Sequence, residues 1–391
     1  IIALQGIMRQ LIYDLVIGHG LRILQKTQFH ITAFIKPQKG RAMVDRIDAP
    51  RLTSLARGGG CGCKLDPAVL SQIIDKAGSI MPSALMVDAS TRDDAAVYRV
   101  SDDVALVATT DFFMPIVDDP YEFGRIAATN ALSDIYAMGA TPIFCLAIVG
   151  MPVGQVPIET VKAILDGGRS VADAAGAPVA GGHSIESAEP IYGLVALGTV
   201  HPDKVKANSD AKAGDVLILG KPLGIGIYSA AMKRGILGEM EYGEMIASTT
   251  RLNTPGAALP KIDGVHAITD VTGFGLLGHL REICEASGVR AVLRSGDIPV
   301  FDGARKLAQD GVRTGASGRN WSAISHRVTA PDDWAEAERD LLCDPQTSGG
   351  LLVSCAPGAA MKVLALFHEA GHVDAAVIGQ VEAGEAGIVL G

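Results

Sequence analysis

Positive charge and aromatic side chains are both scarce in this chain of 391 residues. Its formal net charge is −9 at neutral pH, and Phe, Trp and Tyr together make up 5% of the residues. Nucleic-acid-binding surfaces need clustered positive charge, and aromatic rings serve there as stacking platforms. We therefore expect no nucleic-acid partner. Any phosphate group that binds here needs metal ions to mask the negative charge of the protein.

The chain also lacks a long apolar run and any zinc-type cysteine spacing. Its longest apolar stretch, residues 143–153, is shorter than the ~20 residues that cross a bilayer, so we expect no membrane segment. Six cysteines without a Cys-x-x-Cys pair or a dense disulfide pattern favour a reducing compartment. We therefore predict a cytoplasmic protein. Four cysteines stand alone in apolar surroundings, which predicts core packing: Cys145, Cys284, Cys343 and Cys355.

The remaining composition is that of a globular protein rich in glycine. Hydrophobic residues make up 48% and charged residues 20%, whereas disordered chains show the opposite bias. Glycine contributes 46 residues, against roughly 27 at the usual ~7%, which favours loops lined by backbone groups. The length predicts two domains, because single cores rarely grow beyond about 250–300 residues. We place an N-terminal domain at 49–205 and a C-terminal domain at 206–391.

The first 48 residues differ from the rest and are set apart as an atypical basic extension. Within 1–42 there is one acid, Asp14; the chain begins with Ile, and Met43 opens a stretch that reads like an ordinary protein start. A basic amphipathic leader would serve in targeting or at a membrane surface. Translated upstream sequence is the alternative that we favour. The six basic residues are Arg9, Arg22, Lys26, Lys36, Lys39 and Arg41.

A glycine-rich loop, Gly58–Lys64, carries two cysteines, Cys61 and Cys63, directly before Lys64. Glycine admits backbone conformations that other residues resist, and a nearby ammonium group stabilises a reactive thiolate. One interpretation is a mobile flap, unable to pack a core, that delivers a thiol and a phosphate-neutralising lysine. The other is a flexible leader with incidental cysteines. The helix predicted to begin at Asp66 would anchor the end of this loop.

Alternating strand and helix patterns predict an α/β architecture. Two β-like runs at 95–100 and 104–110 form a predicted hairpin, and the apolar run 142–150 predicts a strand covered on both faces. A helix is expected from about 156 to 175, interrupted at Gly167-Gly168. The second half repeats the pattern, with strands at 215–220, 265–269, 351–354, 375–381 and 388–390 and helices between them.

Acidic residues stand at the ends of several predicted strands. Asp94 precedes the hairpin, Asp111 follows it, and Asp270 follows the strand at 265–269. A turn or a solvated edge is the ordinary explanation for any one of them. Asp134 is different, because it lies one turn from Asn130 on the apolar face of a predicted helix. A carboxylate there is costly unless it is paired or bound to metal.

Two glycine-rich turns give weaker signals. Gly181-Gly182-His183-Ser184 ends a predicted strand, which suits close backbone approach to a nucleotide, although such turns are common. Residues 221–226 precede a helix but lack the Gly-Lys-Thr/Ser of a Walker loop and the dinucleotide spacing. We therefore interpret that second loop as structural.

Grouped together, Asp94, Asp111, Asp134 and Asp270 would form an oxygen-rich site for Mg²⁺ with substrate phosphates. Phosphoryl transfer needs mainly positioning and charge neutralisation, which metal ions and Lys64 can supply. The residues themselves thus indicate ATP-dependent phosphoryl transfer with a thiol in attendance.

With these residues assembled, the chain from about Arg51 to its end resembles the selenophosphate synthetase (selenide, water dikinase) family. Several motifs recur more loosely in the wider aminoimidazole ribonucleotide synthetase-like superfamily, whereas the cysteine-lysine loop singles out the selenium enzyme. The matching motifs are Cys61–Lys64, Thr91–Val97, Thr110–Pro115, Ala127–Asp134, Gly181–Ser184, Thr269–Gly275 and Asp344–Gly350.

The resemblance implies that ATP, selenide and water give selenophosphate, AMP and phosphate with Mg²⁺, which supplies selenium for selenocysteine and selenium-modified tRNA. It implies two α/β (α+β) domains and a homodimer that pairs N-terminal domains through β-structure. Cys61 and Lys64 would be catalytic, and Asp94, Asp134 and Asp270 would bind Mg²⁺. The implied ATP site is Lys64, Thr91, Arg92, Asp93, Asp111, Asp134, Gly182, His183 and Ser184.

Two other functions compete with this interpretation. One is an ATP-dependent kinase or ligase of the same superfamily acting on a purine precursor or thiamine phosphate, which would have no need of the Cys61–Lys64 loop. The other is a nucleotide or redox sensor switched by Cys61 and Cys63, which would have no use for four grouped aspartates. Whether Cys61 bonds selenium, and whether Cys63 helps it, stays open at this point.

Overall fold

The computed structural model describes residues 50–64, 82–88 and 92–391. Residues 49–391 belong to one compact unit, and its described part is built on two β-sheets. Three sequence predictions fall outside the described residues: the basic extension, the helix that begins at Asp66, and the site residue Thr91.

The first sheet has six strands in the spatial order β1-β2-β3-β6-β4-β5. Neighbours are antiparallel except β4 and β5, which run parallel. The predicted hairpin is confirmed as β2 and β3, with Val97 opposite Val107. The strands are β1 Leu85–Val87, β2 Ala96–Arg99, β3 Ala105–Phe113, β4 Thr141–Met151, β5 Val179–Glu186 and β6 Ile191–Val200.

Helices α1 (Pro120–Ala137) and α2 (Ile158–Ala174) pack against one face of this sheet. The side chain of Asp119 accepts a hydrogen bond from the amide of Glu122, and Pro120 occupies the first turn, so the N-terminus of α1 is capped. Nearly all of α1 is buried, because it lies between the first sheet, α2 and the second half of the chain.

The predicted interruption of α2 at Gly167-Gly168 is wrong, because the helix is continuous there. These glycines lie where α1 and α2 touch backbone to backbone. A Cβ on Gly167 would lie 2.0 Å from the carbonyl oxygen of Tyr121, and one on Gly124 would lie 1.9 Å from that of Ile164. Glycine is therefore required by the close approach of the two helices and not by a break in α2.

This contact predicts a large stability loss for Gly124→Ala. The added methyl group must push the helices apart, which we expect to lower the free energy of unfolding by about 3 kcal/mol. Urea unfolding followed by circular dichroism measures it. Gly243→Ala is the matched control, because this helical glycine has nothing near its Cβ position, and alanine there should stabilise by up to about 1 kcal/mol. Equal stability of the two variants would contradict the packing.

The opposite face of the first sheet is apolar and partly exposed. Phe112 of β3 is 47% exposed and Tyr98 of β2 is 44% exposed. On β4 the side chains of Phe144, Leu146 and Ile148 are half-buried, so the prediction that this strand is covered on both faces is wrong. Within the described residues the sheet thus presents one packed face and one open apolar face.

The second sheet has seven strands in the order β10-β13-β9-β12-β7-β11-β8. Its centre is antiparallel, while β13 runs parallel to both β9 and β10. Strand β11, between β7 and the edge strand β8, is buried along its whole length. The strands are β7 Val216–Leu219, β8 Val265–Asp270, β9 Val289–Leu293, β10 Val328–Thr329, β11 Leu351–Cys355, β12 Ala376–Ala383 and β13 Gly387–Leu390.

The described helices of the C-terminal half follow these strands. Four solitary cysteines are buried, which confirms their predicted place in the core. No helix among the described residues combines the length and apolar character needed to cross a membrane. The helices are α3 Ile225–Lys233, α4 Glu239–Thr249, α5 Gly275–Ser287, α6 Asp302–Gln309, α7 Gly315–Ile324, α8 Glu336–Leu342 and α9 Ala360–Glu369.

Candidate active site

The cysteine-lysine loop is folded against the C-terminal half of the chain. Gly60–Cys63 forms a single 3₁₀ turn, and the amide of Cys61 donates a hydrogen bond to Oγ1 of Thr347 at 3.1 Å. Gly60 has φ +56°, and a Cβ there would lie 2.3 Å from that same Oγ1. Cys61 is 1% exposed, so the expectation that this loop cannot pack against a core is wrong.

Lys64 leaves the turn beside a buried carboxylate of the first sheet. Its Nζ lies 3.4 Å from Oδ2 of Asp111, and its side chain remains 41% exposed. Asp111 raises the pKa of Lys64 well above its ordinary value, so the ammonium group stays charged. Asp111 lies inside β3, two residues before its end, so the prediction that it follows the strand is wrong. Its side chain faces α1, where Nδ2 of Asn130 donates to Oδ2 at 2.7 Å.

Three other aspartates converge next to this pair. Asp94 precedes β2, Asp134 lies on α1, and Asp270 is the last residue of β8. Each offers a carboxylate oxygen, and these oxygens lie within 4.8 Å of one another. The cluster therefore joins both sheets and α1 at one point, as the sequence predicts for these three residues.

A hydroxyl group orients each carboxylate of the cluster. Oδ2 of Asp94 and Oδ2 of Asp270 are buried and have no hydrogen-bond partner among the described residues. Asp94 and Asp270 thus each keep one oxygen free for a further ligand. The hydroxyl donors are Thr269 to Asp94 at 3.0 Å, Thr109 to Asp134 at 2.6 Å, and Ser133 to Asp270.

Burial raises the pKa of all three clustered carboxyl groups, and for Asp94 and Asp134 the neighbouring Asp270 raises it further. Three charges this close cannot be held stably without a counter-charge. The unpartnered oxygens and the donor set of carboxylates alone suit a hard divalent cation. On chemistry and geometry the residues fit such an ion.

Arg92 and Asp93, two further residues of the predicted nucleotide site, directly precede Asp94 in sequence, but their side chains contact the C-terminal half of the chain. Nη1 of Arg92 lies 3.4 Å from Oε2 of Glu285 on α5. Oδ1 of Asp93 accepts a hydrogen bond from the amide of Asn208 at 2.7 Å. Both side chains therefore attach the segment before β2 to the C-terminal half, and Asp94 is held at the cluster between them and the strand.

Within this chain Gly182, His183 and Ser184 do not join the carboxylates. They lie inside edge strand β5 and not beyond its end, and all three are exposed. Gly182 is in register with Asp111 through β4 and β6. With ~4.8 Å between strands, three strand spacings separate the two by about 14 Å.

The sequence predicts no role for Thr347 or Asn130, yet both join the site. Asn130 lies one turn before Asp134 on the same buried helix, and Thr347 lies within the Asp344–Gly350 motif. The helical spacing of Asn130 and Asp134 is the sequence signal that places Asn130 next to the site. The approach of Thr347 to Cys61 has no such signal, because it depends on tertiary packing across 286 residues.

Two protein-family models match this chain and identify the class of protein to which it belongs. The model for the N-terminal domain of AIR synthase related proteins matches residues 92–200, and the model for their C-terminal domain matches residues 212–390. Among solved structures, a HypE–HypF complex aligns with a TM-score of 0.63 at 19% identity, over 83% of this chain and 95% of that one. Thiamine-monophosphate kinase from Stenotrophomonas maltophilia K279a aligns at 0.57 and 20%, over 83% and 94%. The two-domain α/β fold is that of the AIR synthase related proteins.

The curated relatives of this chain fall in one family within that class. Selenide, water dikinase of Dechloromonas aromatica is 58% identical over 86% of this chain and 97% of its own length. The enzymes of Burkholderia pseudomallei and Pseudomonas straminea are 58% and 56% identical, over 86% and 88% of this chain and 96% and 98% of theirs. This chain belongs to the selenide, water dikinase family. The resemblance seen in the motifs is thereby confirmed.

Proposed function

We propose that the chain makes selenophosphate from selenide, ATP and water, releasing AMP and phosphate, at the site between its two sheets. The observation that carries this is the closed cysteine-lysine turn. Lys64 pairs with Asp111, Cys61 is linked to the same carboxylate through Asn130, and the three-carboxylate cluster lies beside them. A soft thiol and a charged lysine next to an oxygen-rich metal cluster suit transfer of a phosphoryl group to a selenium acceptor.

Mg²⁺ is the proposed metal, held by Asp94, Asp134 and Asp270. When bound, it would neutralise the polyphosphate of ATP and offset the repulsion among the three carboxylates. Hydroxyl partners orient all three carboxylates, and the unpartnered Oδ2 atoms of Asp94 and Asp270 are free for the ion. Support for ATP as the nucleotide comes from a HypE structure solved with ATP, to which this chain aligns with a TM-score of 0.59 at 19% identity.

Lys64 is the proposed phosphate contact. Its ammonium group is paired on one side with Asp111 and exposed on the other, so it can reach a phosphate without leaving the closed turn. Cys61 is the proposed thiol at the selenium centre. Its burial keeps water and oxidants from that point, which a selenide substrate needs.

The nucleotide roles proposed for Gly182, His183 and Ser184 depend on a homodimer. In one chain they stand about 14 Å from Asp111, on an exposed edge strand that can pair with another chain. The open apolar face around Phe112 and Tyr98 also favours a partner. We propose that two copies associate through this sheet, so that the three residues serve a site at the interface.

The division into domains at 49–205 and 206–391 is retained as a proposal. It is supported by the two family matches, one of which falls within each range. A cytoplasmic location is likewise proposed, on the grounds of cysteine usage and the absence of a spanning helix among the described residues.

The test of the proposed function is selenide-dependent conversion of ATP to AMP under anaerobic conditions. We expect the full chain to form AMP with selenide present, and Lys64→Ala to lose roughly 100-fold or more in rate because the phosphate contact is gone. Lys162→Ala, an exposed lysine on α2, is the control and should match the parent. An enzyme for a purine precursor or thiamine phosphate would not respond to selenide, and full activity of Lys64→Ala would remove the proposed role.

A further inference from the structure

One buried carboxamide connects the parts of the site that the proposed reaction uses. The side chain of Asn130 is fully buried on α1. Its Oδ1 lies 3.1 Å from Sγ of Cys61 and 2.7 Å from the amide nitrogen of Ser348. Its Nδ2 lies 2.7 Å from Oδ2 of Asp111, the oxygen that also faces Lys64. Asn130 thus contacts the thiol, the lysine's partner and the 344–350 loop with three hydrogen bonds.

The partners of Asn130 fix which way its amide points. The backbone amide of Ser348 can only donate, so the atom facing it must be the carbonyl oxygen. The carboxylate of Asp111 accepts, so the atom facing it must be the NH₂ group. A flipped amide would bring two donors together on one side and two acceptors on the other. The orientation is therefore set by chemistry.

This orientation in turn fixes the role of Cys61. Because Sγ faces the carbonyl oxygen of Asn130, the sulfur must be the donor, and Cys61 must carry its proton as a thiol. Burial and the neighbouring charge of Asp111 raise the pKa of this thiol well above its ordinary value, in agreement with the geometry. In the closed turn the side chain of Cys61 is therefore a neutral, hydrogen-bonded thiol and not a thiolate.

We propose that Asn130 is a positioning residue of this enzyme, which holds Cys61 as a neutral hydrogen-bond donor and holds Asp111 against Lys64. The inference rests on the roles proposed above for Cys61 and Lys64. It adds the group that links them and explains the inward direction of the thiol. It also makes closure of the turn depend on the C-terminal half, because Ser348 shares the accepting oxygen and Thr347 accepts from the Cys61 amide.

The strained backbone of the partner loop fits this role. Ser348 has φ +50°, a conformation that is uncommon outside glycine. Lys221 stabilises this conformation. Its Nζ donates hydrogen bonds to the carbonyl oxygens of Ser348 and Arg251, each at 2.7 Å. The loop is therefore held from behind by a buried lysine while its amide faces Asn130.

Alkylation of Cys61 by iodoacetamide, followed by mass spectrometry, tests the proposal without turnover. The experiment uses the full chain carrying Cys63→Ser, so that Cys61 is the reactive thiol followed. We expect Asn130→Ala to raise the rate at Cys61 about tenfold, because loss of its hydrogen bonds frees the turn and the thiol. Since no selenide or ATP is present, this result is independent of whether the proposed reaction occurs.

Asn320→Ala is the matched control. This buried asparagine donates to the carbonyl oxygens of Gly273 and Cys343 and so holds neighbouring loops, but it does not contact Cys61. Its rate of alkylation should stay within about twofold of the parent. Unchanged alkylation in Asn130→Ala, or an equal rise in both variants, would overturn the proposal, the latter because it would mark general loosening.

A measurement that leaves Asn130 in place covers the case in which Asn130→Ala does not fold. The infrared difference spectrum between the parent and Cys61→Ser isolates the S–H stretching band of Cys61. We expect a band shifted to lower frequency than that of a free thiol, as hydrogen bonding to a carbonyl oxygen requires. Absence of an S–H band at neutral pH would identify a thiolate and contradict the assignment.

Discussion

We expect Cys61→Ser to abolish selenophosphate formation and to leave the fold and ATP binding intact. Serine is close in size and can still donate to Asn130, so the buried turn should close as before. What it removes is the soft, polarisable sulfur beside Lys64 and Asp111. We expect a loss of roughly 1,000-fold or more in product formation, which is of the size found when one catalytic side chain is lost. Product formation is followed by phosphorus NMR, and ATP binding by calorimetry.

Cys63→Ser is the internal control for that result. Cys63 is half-buried, and its hydrogen-bond partner is the backbone amide of Met114, whereas the thiol of Cys61 bonds to Asn130. We therefore expect this variant to keep most of its activity. Normal product formation by Cys61→Ser would remove Cys61 from the chemistry, whereas equal losses in both variants would mean that the turn as a whole, and not one thiol, is needed.

Asp134→Asn should have the second large effect, on Mg²⁺ binding. The variant keeps the side-chain shape and its contact with Thr109 but removes one of three clustered charges. We expect Mg²⁺-dependent nucleotide binding to weaken by at least the roughly 10–100-fold that loss of an outer ligand partner costs. Calorimetric titration of nucleotide at several Mg²⁺ concentrations measures this, and unchanged metal dependence would count against the assignment.

Stability provides an independent readout of the same substitution. Burial raises the folded-state pKa of Asp134, so its ionised form destabilises the metal-free protein at neutral pH, and this cost disappears as pH falls below the ordinary pKa. Removing the charge should leave the metal-free melting temperature no lower than that of the parent. Mg²⁺ should then raise the melting temperature of the parent but not of Asp134→Asn. The control is Asp166→Asn on the exposed face of α2, which should respond to Mg²⁺ like the parent.

Sequence reasoning located much of the site because periodicity and strand ends are local features. Asp134 on the buried face of α1 and Asp270 at the end of β8 follow from patterns of a few residues, and the structure brings them within reach of Asp94. Asp111 is also a sequence-predicted site residue, but it lies inside β3 and not after it. The apolar residues that follow it do not show where the strand ends.

Tertiary contacts account for what local patterns missed. The adjacent glycines of α2 predict a helix break, because the sequence of one helix does not show that another helix packs closely against it. The turn that carries Cys61 looks mobile from its glycines, yet it packs on Thr347, whose position depends on the second sheet. Gly182 illustrates a further limit. Its strand is the exposed edge of the first sheet, a position set by the order of the strands and not by the residues of β5 itself.

We propose that this site transfers a phosphoryl group of ATP to selenium. Phosphorus NMR of the full chain with ATP, Mg²⁺ and selenide, kept anaerobic, tests it most directly. We expect a resonance with phosphorus–selenium coupling, together with AMP and phosphate in amounts equal to it. ATP consumed to ADP, or AMP formed without any selenium-coupled resonance, would contradict it.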